Sequence, residues 1–300
     1  MMPVRSEVAL ASATISYLDW QPSQERGSPV VLLHGGGADS AELSWGALGP
    51  ALAAAGHRVI APDHPGFGQS PRADWPLTQE RLLQYVAEFV DTIGVTDYVV
   101  AGLSLGGGLT IGHLLARPGR ARGAVLLGTY GVMPRLADGS GGAIVHAAAF
   151  AMLRTGILTR LSASAARHRR TMERGLRDII RDPAARTPEL VEAVIAEAAT
   201  GSGMAVFGEW QRDQVRWNGL RTDYTAQLAS IRTPTLLIHG ERDGGVPVSR
   251  VRAAAARLPH STLVVVPGAG HWVQRDRPDV ATRAILDHLR RIDDAPSARP

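Results

Sequence analysis

The sequence predicts an α/β protein: a mostly parallel, doubly wound sheet with a helical cap inserted late in the chain. Three observations carry this. Short runs apolar at every position recur along the chain, helix-compatible segments separate them, and residues 131–227 hold no such run. A strand that is apolar throughout, not alternating, is buried on both faces, as in a parallel sheet. Strands that alternate with helices give the doubly wound arrangement.

The predicted strands are Ala13–Trp20, in an opening hairpin, then Val30–Leu33, Arg58–Ala61, Tyr98–Ala101, Ala124–Leu127, Thr235–Ile238 and Leu263–Val266. Helical patterns occupy Leu48–Ala55, Thr78–Ile93, Leu105–Ala116, Pro247–Leu258 and Pro278–Arg291. Thr78 and the prolines at 247 and 278 are start signals. Within 131–227, Ala143–Arg154, Ser164–Ile180 and Pro188–Ala199 read as helices. The expected organisation is therefore a core of 1–130 and 228–300 with a cap of 131–227. Asp293–Pro300 reads as a frayed tail.

Composition narrows the function classes. With 300 residues and 45% hydrophobic content the chain can bury a large core without staples. The absence of cysteine removes thiol nucleophiles and Cys-ligated zinc. All 32 basic residues are arginine, but the net charge is only +4 and the arginines form no single stripe, so no nucleic-acid partner is expected. The eight arginines between Arg154 and Arg181 read as a solvated helix face. Met1–Trp20 lacks the features of a secretory signal, and no run reaches the ~18 apolar residues of a membrane span. The expectation is a soluble cytoplasmic protein without a membrane partner, free to form a homo-oligomer.

The chemistry centres on Gly102-Leu103-Ser104-Leu105-Gly106, between the strand Tyr98–Ala101 and the helix from Leu105. A sharp strand-to-helix turn forces its central serine into a strained backbone and lifts the hydroxyl to the carboxyl end of the sheet. Small residues two positions to either side let that turn close. A serine hydroxyl needs a base. Of ten histidines, His271 in Gly268-Ala269-Gly270-His271-Trp272 is the best placed, in a glycine loop after the last strand. Asp243, in the loop after Thr235–Ile238, is the acid expected to orient it, with Glu241 as rival. The chain order Ser104, Asp243, His271 is the one this arrangement takes on such a sheet.

Donors for a developing oxyanion are expected from the Gly36 and Leu105 N–H groups, each worth ~3 kcal/mol of barrier. No Gly-Lys-Ser/Thr loop, dinucleotide fingerprint or metal-ligand spacing is present, so neither cofactor nor metal is expected.

These motifs resemble the α/β-hydrolase superfamily across nearly the whole chain. Asp63-His64-Pro65-Gly66-Phe67-Gly68-Gln69-Ser70 is similar to its Asp-x-x-Gly-x-Gly-x-Ser loop, and Val246-Pro247 and Gly270-His271-Trp272 match its acid and histidine regions. His34-Gly35-Gly36-Gly37, Trp45 and Trp272 are similar to meta-cleavage-product hydrolases, which split carbon–carbon bonds in vinylogous diketo acids. Two departures stand out: Ala38-Asp39 where that group has Pro-Gly, and Leu103 where it has asparagine before the serine. They put hydrolysis of an ester-type carbonyl ahead of carbon–carbon cleavage. A non-turnover ligand receptor on the same fold is the alternative from another class. Dehalogenases and epoxide hydrolases resemble the chain but use aspartate as nucleophile. The resemblance implies a small, mainly hydrophobic carbonyl substrate touching Gly37, Trp45, Leu103, Tyr130 and Trp272.

Overall fold

The computed structural model describes residues 1–166 and 168–295. Its sheet begins with a hairpin of β1 (Val4–Ala9) and β2 (Thr14–Trp20). The other sheet strands are β3 (Val30–Leu33), β4 (Val59–Pro62), β5 (Tyr98–Leu103), β6 (Ala121–Leu127), β9 (Thr235–Gly240) and β10 (Ser261–Val266). The spatial order is β1-β2-β4-β3-β5-β6-β9-β10. β2 is antiparallel to both neighbours and the rest are parallel, so the predicted fold class is what forms.

The apolar runs follow from burial on two sides. Side chains of a strand alternate between faces. Val31, Leu33, Tyr98, Val100, Ala124, Leu126 and Leu237 enter one core cluster, and Val30, Leu32, Val99, Ala101, Val125, Leu127, Leu236 and Ile238 the other. The first cluster is covered by α3 (Gln79–Thr92), α4 (Leu105–Ala116) and α10 (Val248–Ala255). The second is covered by α1 (Ala41–Trp45), α2 (Leu48–Ala54), α11 (Val273–Asp276) and α12 (Pro278–Asp294). The chain runs from β3 out to β4 and crosses back to β5. That reversal opens a crevice at the carboxyl ends of β3 and β5, where open α/β sheets bind ligands.

Between β6 and β9 come α5 (Gly142–Arg154), α6 (Ile157–Ala166), α7 (Arg169–Ile179), α8 (Pro188–Thr200) and α9 (Ser202–Gln214). A two-residue ladder of β7 (Val215–Arg216) and β8 (Gly219–Leu220) and a 3₁₀ turn at Leu228–Ser230 lead back to the sheet. Val206 and Trp210 of α9 pack into the first core cluster, Leu176 of α7 and Val194 of α8 into the second. The inserted segment thus bridges both faces.

The helix expected over 164–180 is two helices, because His168 is extended (φ −113°, ψ 104°) and breaks the run. α9 escapes the sequence reading, since its two glycines and mixed polarity blur the helical period. α12 continues to Asp294, so the tail expected from Asp293 begins as helix: the Asp293 carboxylate accepts the Ser28 N–H and hydroxyl at 3.1 and 2.7 Å. Residues 296–300 of that expected tail lie outside the described residues.

Four buried histidines are held neutral. Burial pushes His34 down to about 3, and His113 and His288 down to about 4. Burial, reinforced by the neighbouring His34, pushes His64 well below its ordinary 6.5. The unfolded chain takes up these protons near 6.5 and the folded chain resists them. Their contribution is therefore complete above about 6.5 and is lost as pH falls toward 4. The loss is roughly 2 kcal/mol per histidine by pH 5. Asp39, pushed up to about 7 by burial, and Glu197, also raised by burial, run the other way but are outnumbered by these histidines and by buried His239, which burial lowers too. Urea unfolding is expected to show a lower midpoint at pH 5 than at pH 7.5; equal midpoints contradict this account.

Candidate active site

Ser104 lies between the last residue of β5 and the first of α4, with φ 52° and ψ −114°. Only Asp97 shares a positive φ among the described non-glycine residues. Such a conformation costs about 1–3 kcal/mol and persists only where the surroundings fix it. Here the Ser104 N–H donates to the Leu127 carbonyl at 2.9 Å, and its carbonyl accepts from the Gly108 and Tyr130 N–H groups at 3.0 Å each. A β-carbon on Gly102 would overlap the Gly106 carbonyl, and one on Gly106 would overlap the Leu33 and His34 carbonyls. Glycine is what lets strand, turn and helix approach so closely.

His271 follows β10, and its Nδ1 is 2.8 Å from Asp243 Oδ2. The other Asp243 oxygen accepts the Gly245 and Val246 N–H groups at 2.7 and 3.0 Å. Burial alone would raise the Asp243 pKa. The hydrogen bond and charge of His271, with support from His239 and the Val246 N–H, outweigh it and leave the carboxyl below its ordinary range. A permanent carboxylate at Nδ1 holds the proton there and leaves Nε2 as an acceptor. Glu241 does not compete, because its carboxylate accepts the exposed Gly268 N–H at 3.0 Å.

Among the described residues no hydrogen bond joins Ser104 to His271. They are brought together by the end of β6: Leu127 accepts from the Ser104 amide, while a β-carbon on Gly128 would sit 3.0 Å from His271 Nδ1. Gly35 lies beside Ser104, its β-position 3.6 Å from Ser104 Cβ. The Gly36 and Leu105 amides have no hydrogen-bond partner among the described residues.

The five positions expected to touch substrate are all buried. Leu103 is buried directly before the serine, and Tyr130 is bonded through its amide to Ser104 and through its hydroxyl to Gln214 at 3.1 Å. Gly37 is buried beside Gly203 of α9, whose β-position is 3.0 Å from the Gly37 carbonyl. Trp45 and Trp272 are packed into the second core cluster, as Leu103 is, while Tyr130 belongs to the first.

Several site residues escape the sequence reading. Phe207 of α9 covers Gly36 so closely that a β-carbon there would overlap its ring. His34, His64 and Tyr85 form a buried chain: the His64 amide donates to His34 Nε2 at 2.9 Å, and His64 Nδ1 pairs with the Tyr85 hydroxyl. The motif His-Gly-Gly-Gly-Ala-Asp holds one visible signal, an acidic residue inside an otherwise small, apolar loop.

Asp276 is another. It is buried and accepts the amides of Gly270 (2.5 Å), Arg181 (2.9 Å) and Asp182 (2.7 Å). With the Trp272 amide on the Ile179 carbonyl at 2.9 Å, it ties the α7–α8 connection to the loop that carries His271. Elsewhere on these helices Arg169 pairs with Glu173 and Glu192, and Arg181 with Asp178.

Comparison with known proteins agrees with this geometry. A family model described as alpha/beta hydrolase fold matches residues 28–278. The chain belongs to the α/β-hydrolase family. It is 30% identical over 271 residues to 2-hydroxymuconate semialdehyde hydrolase of Pseudomonas putida, covering 90% of each chain. It is 27% identical over 282 residues to 2-hydroxy-6-oxo-6-phenylhexa-2,4-dienoate hydrolase of Burkholderia cepacia, covering 88% of each. The solved 2-hydroxy-6-oxo-6-phenylhexa-2,4-dienoate hydrolase of Rhodococcus sp. strain RHA1 superposes with a TM-score of 0.77 at 23% identity, covering 96% of this chain and 99% of that one. This α/β-hydrolase is thus an enzyme of the hydrolase class acting on a small molecule.

Because Asp276 serves the buried Gly270 amide and the part-buried Arg181 and Asp182 amides, Asp276→Ala should leave them without this acceptor. The expected cost is about 3 kcal/mol or more, read as a lowered unfolding midpoint. An unchanged midpoint contradicts the tie between insertion and histidine loop.

Proposed function

We propose that this protein is a serine hydrolase that splits a carbon–carbon bond in a 2-hydroxy-6-oxo-dienoic acid through an acyl-enzyme on Ser104. The observation that carries this reading is the 30% identity, over 90% of both chains, with a 2-hydroxymuconate semialdehyde hydrolase. The Asp243–His271 hydrogen bond supplies chemistry that fits it. The preference for esters drawn from Ala38-Asp39 and Leu103 gives way to this likeness.

His271 Nε2 takes the Ser104 proton as the hydroxyl attacks the keto carbonyl carbon. The oxyanion rests on the Gly36 and Leu105 N–H groups. The 2-hydroxyl proton shifts to C5 before attack, giving the diketo form; the C5–C6 bond then breaks, its electron pair passes through the C3=C4 double bond onto the 2-oxygen, and the dienolate takes up the proton from His271. Water then attacks the acyl-serine with His271 again as base, releasing a carboxylic acid.

Residues 131–227 act as a cap over this site, and α9, with Phe207 against Gly36, forms its inner wall. The substrate is mainly hydrophobic outside its carboxylate end, and the enzyme works in the cytoplasm. Ester hydrolysis is the second reading, favoured by Leu103 where carbon–carbon hydrolases of this kind have asparagine.

Ser104→Ala should lower kcat/KM by at least about 10⁴-fold without lowering the unfolding midpoint; retained turnover would sink the nucleophile. Wild-type kcat/KM on 2-hydroxy-6-oxo-6-phenylhexa-2,4-dienoate, followed by loss of its absorbance, should exceed that on p-nitrophenyl butyrate. A tenfold preference for the ester would make the second reading the correct one.

A further inference from the structure

Asp39 stands where related hydrolases were expected to have glycine, and nothing in the proposed chemistry uses it. It is completely buried and surrounded by donors. Oδ2 accepts the Gly35 N–H at 2.7 Å and Oδ1 the Ser40 N–H at 2.8 Å, while the Ser44 hydroxyl lies 2.9 and 2.8 Å from the two oxygens.

The Gly35 amide belongs to the His34–Gly35 peptide, whose carbonyl accepts from His64 Nε2 at 3.0 Å. That peptide is therefore gripped at both ends. The next one, Gly35–Gly36, is gripped at its carbonyl by His34 Nδ1 at 2.7 Å. The C=O and N–H of a trans peptide point in opposite directions. The Gly36 N–H consequently projects away from the His34 ring, and it is the amide left without a partner among the described residues.

We propose that Asp39 is the positioning residue of the oxyanion loop, its carboxylate fixing the His34–Gly35 peptide so that the Gly36 N–H is aimed at the developing oxyanion. This rests on Ser104 and Gly36 acting as proposed.

The carboxylate form matters, because only it accepts from every neighbour. The charged and titratable groups around it are Arg275 and Glu42, Asp63, which accepts the Ala41 amide at 2.8 Å, and the neutral His34 and His64. Arg275 is half-buried, with its guanidinium on the Leu43 and Glu42 carbonyls at 2.5 and 2.8 Å. Burial dominates over the Ser44, Gly35 and Ser40 donors and over Arg275, and pushes Asp39 up to about 7. As pH falls through that value, one oxygen becomes a donor among donors and the grip on Gly35 weakens. A general base contributes one ionisation to the acid limb of a rate profile; Asp39 adds a second.

The test is kcat and KM from pH 5 to 9 for the full-length wild type, Asp39→Asn and Ser44→Ala, on the faster of the dienoate and p-nitrophenyl butyrate. Asp39→Asn should lower kcat about 10- to 100-fold with KM within about threefold, and its acid limb should lose one ionisation. Ser44→Ala removes a donor that favours the ionised form, so its acid limb should move to higher pH. Acid limbs identical to wild type, with kcat within about twofold, overturn the proposal. If Asp39→Asn does not fold, the direction of the Ser44→Ala shift decides alone. Fluorophosphonate labelling of Ser104 and loss of turnover in Ser104→Ala keep the two ideas apart. If both hold while the Asp39 and Ser44 variants match wild type, only the positioning role falls. A wild type neither labelled nor active removes the nucleophile, and the Asp39 role with it.

Discussion

The backbone of Ser104 is the constraint on which the site depends. A serine at φ 52° is held there by the end of β6, since Leu127 accepts its amide and Tyr130 donates to its carbonyl. The parallel register Leu103↔Leu127 between β5 and β6 sets these partners opposite the turn. The strain is thus offset by bonds that belong to the sheet, and any shift in that register would release it. The same strand end places Gly128 against His271, so one end of β6 locates both Ser104 and His271.

Around this point the polar groups are arranged so that each buried group has a fixed protonation state. Asp243 meets His271 and two amides and stays ionised. His34 and His64 give their protons to backbone carbonyls and stay neutral. A buried polar network of this kind is rigid only when every member is satisfied. Asp39 is the exception, a carboxylate whose burial brings it close to neutrality while four donor contacts depend on its charge.

The inserted helices complete the site from the other side. Phe207 closes over Gly36, and Asp276 fastens the α7–α8 connection to the His271 loop. The inserted segment that covers Gly36 is therefore hydrogen-bonded to the loop that holds the His271 imidazole.

The sequence by itself determined the sheet, since residues buried on both faces must be apolar throughout, and it determined the strained turn at Ser104, since Gly102 and Gly106 are what such a turn requires. It also determined the order of Ser104, Asp243 and His271, because each sits in a loop after a legible strand. Helix α9 and the break at His168 were not legible, because tertiary contacts override a weak local period there. Only the tertiary structure decided that Trp45 and Trp272 pack inward, and that Asp39 and Asp276 act as acceptors. The physical reason is range. Asp276 reaches Arg181 across 95 residues and Arg275 reaches Leu43 across 232, and a hydrogen bond between such distant segments leaves no periodicity in either one.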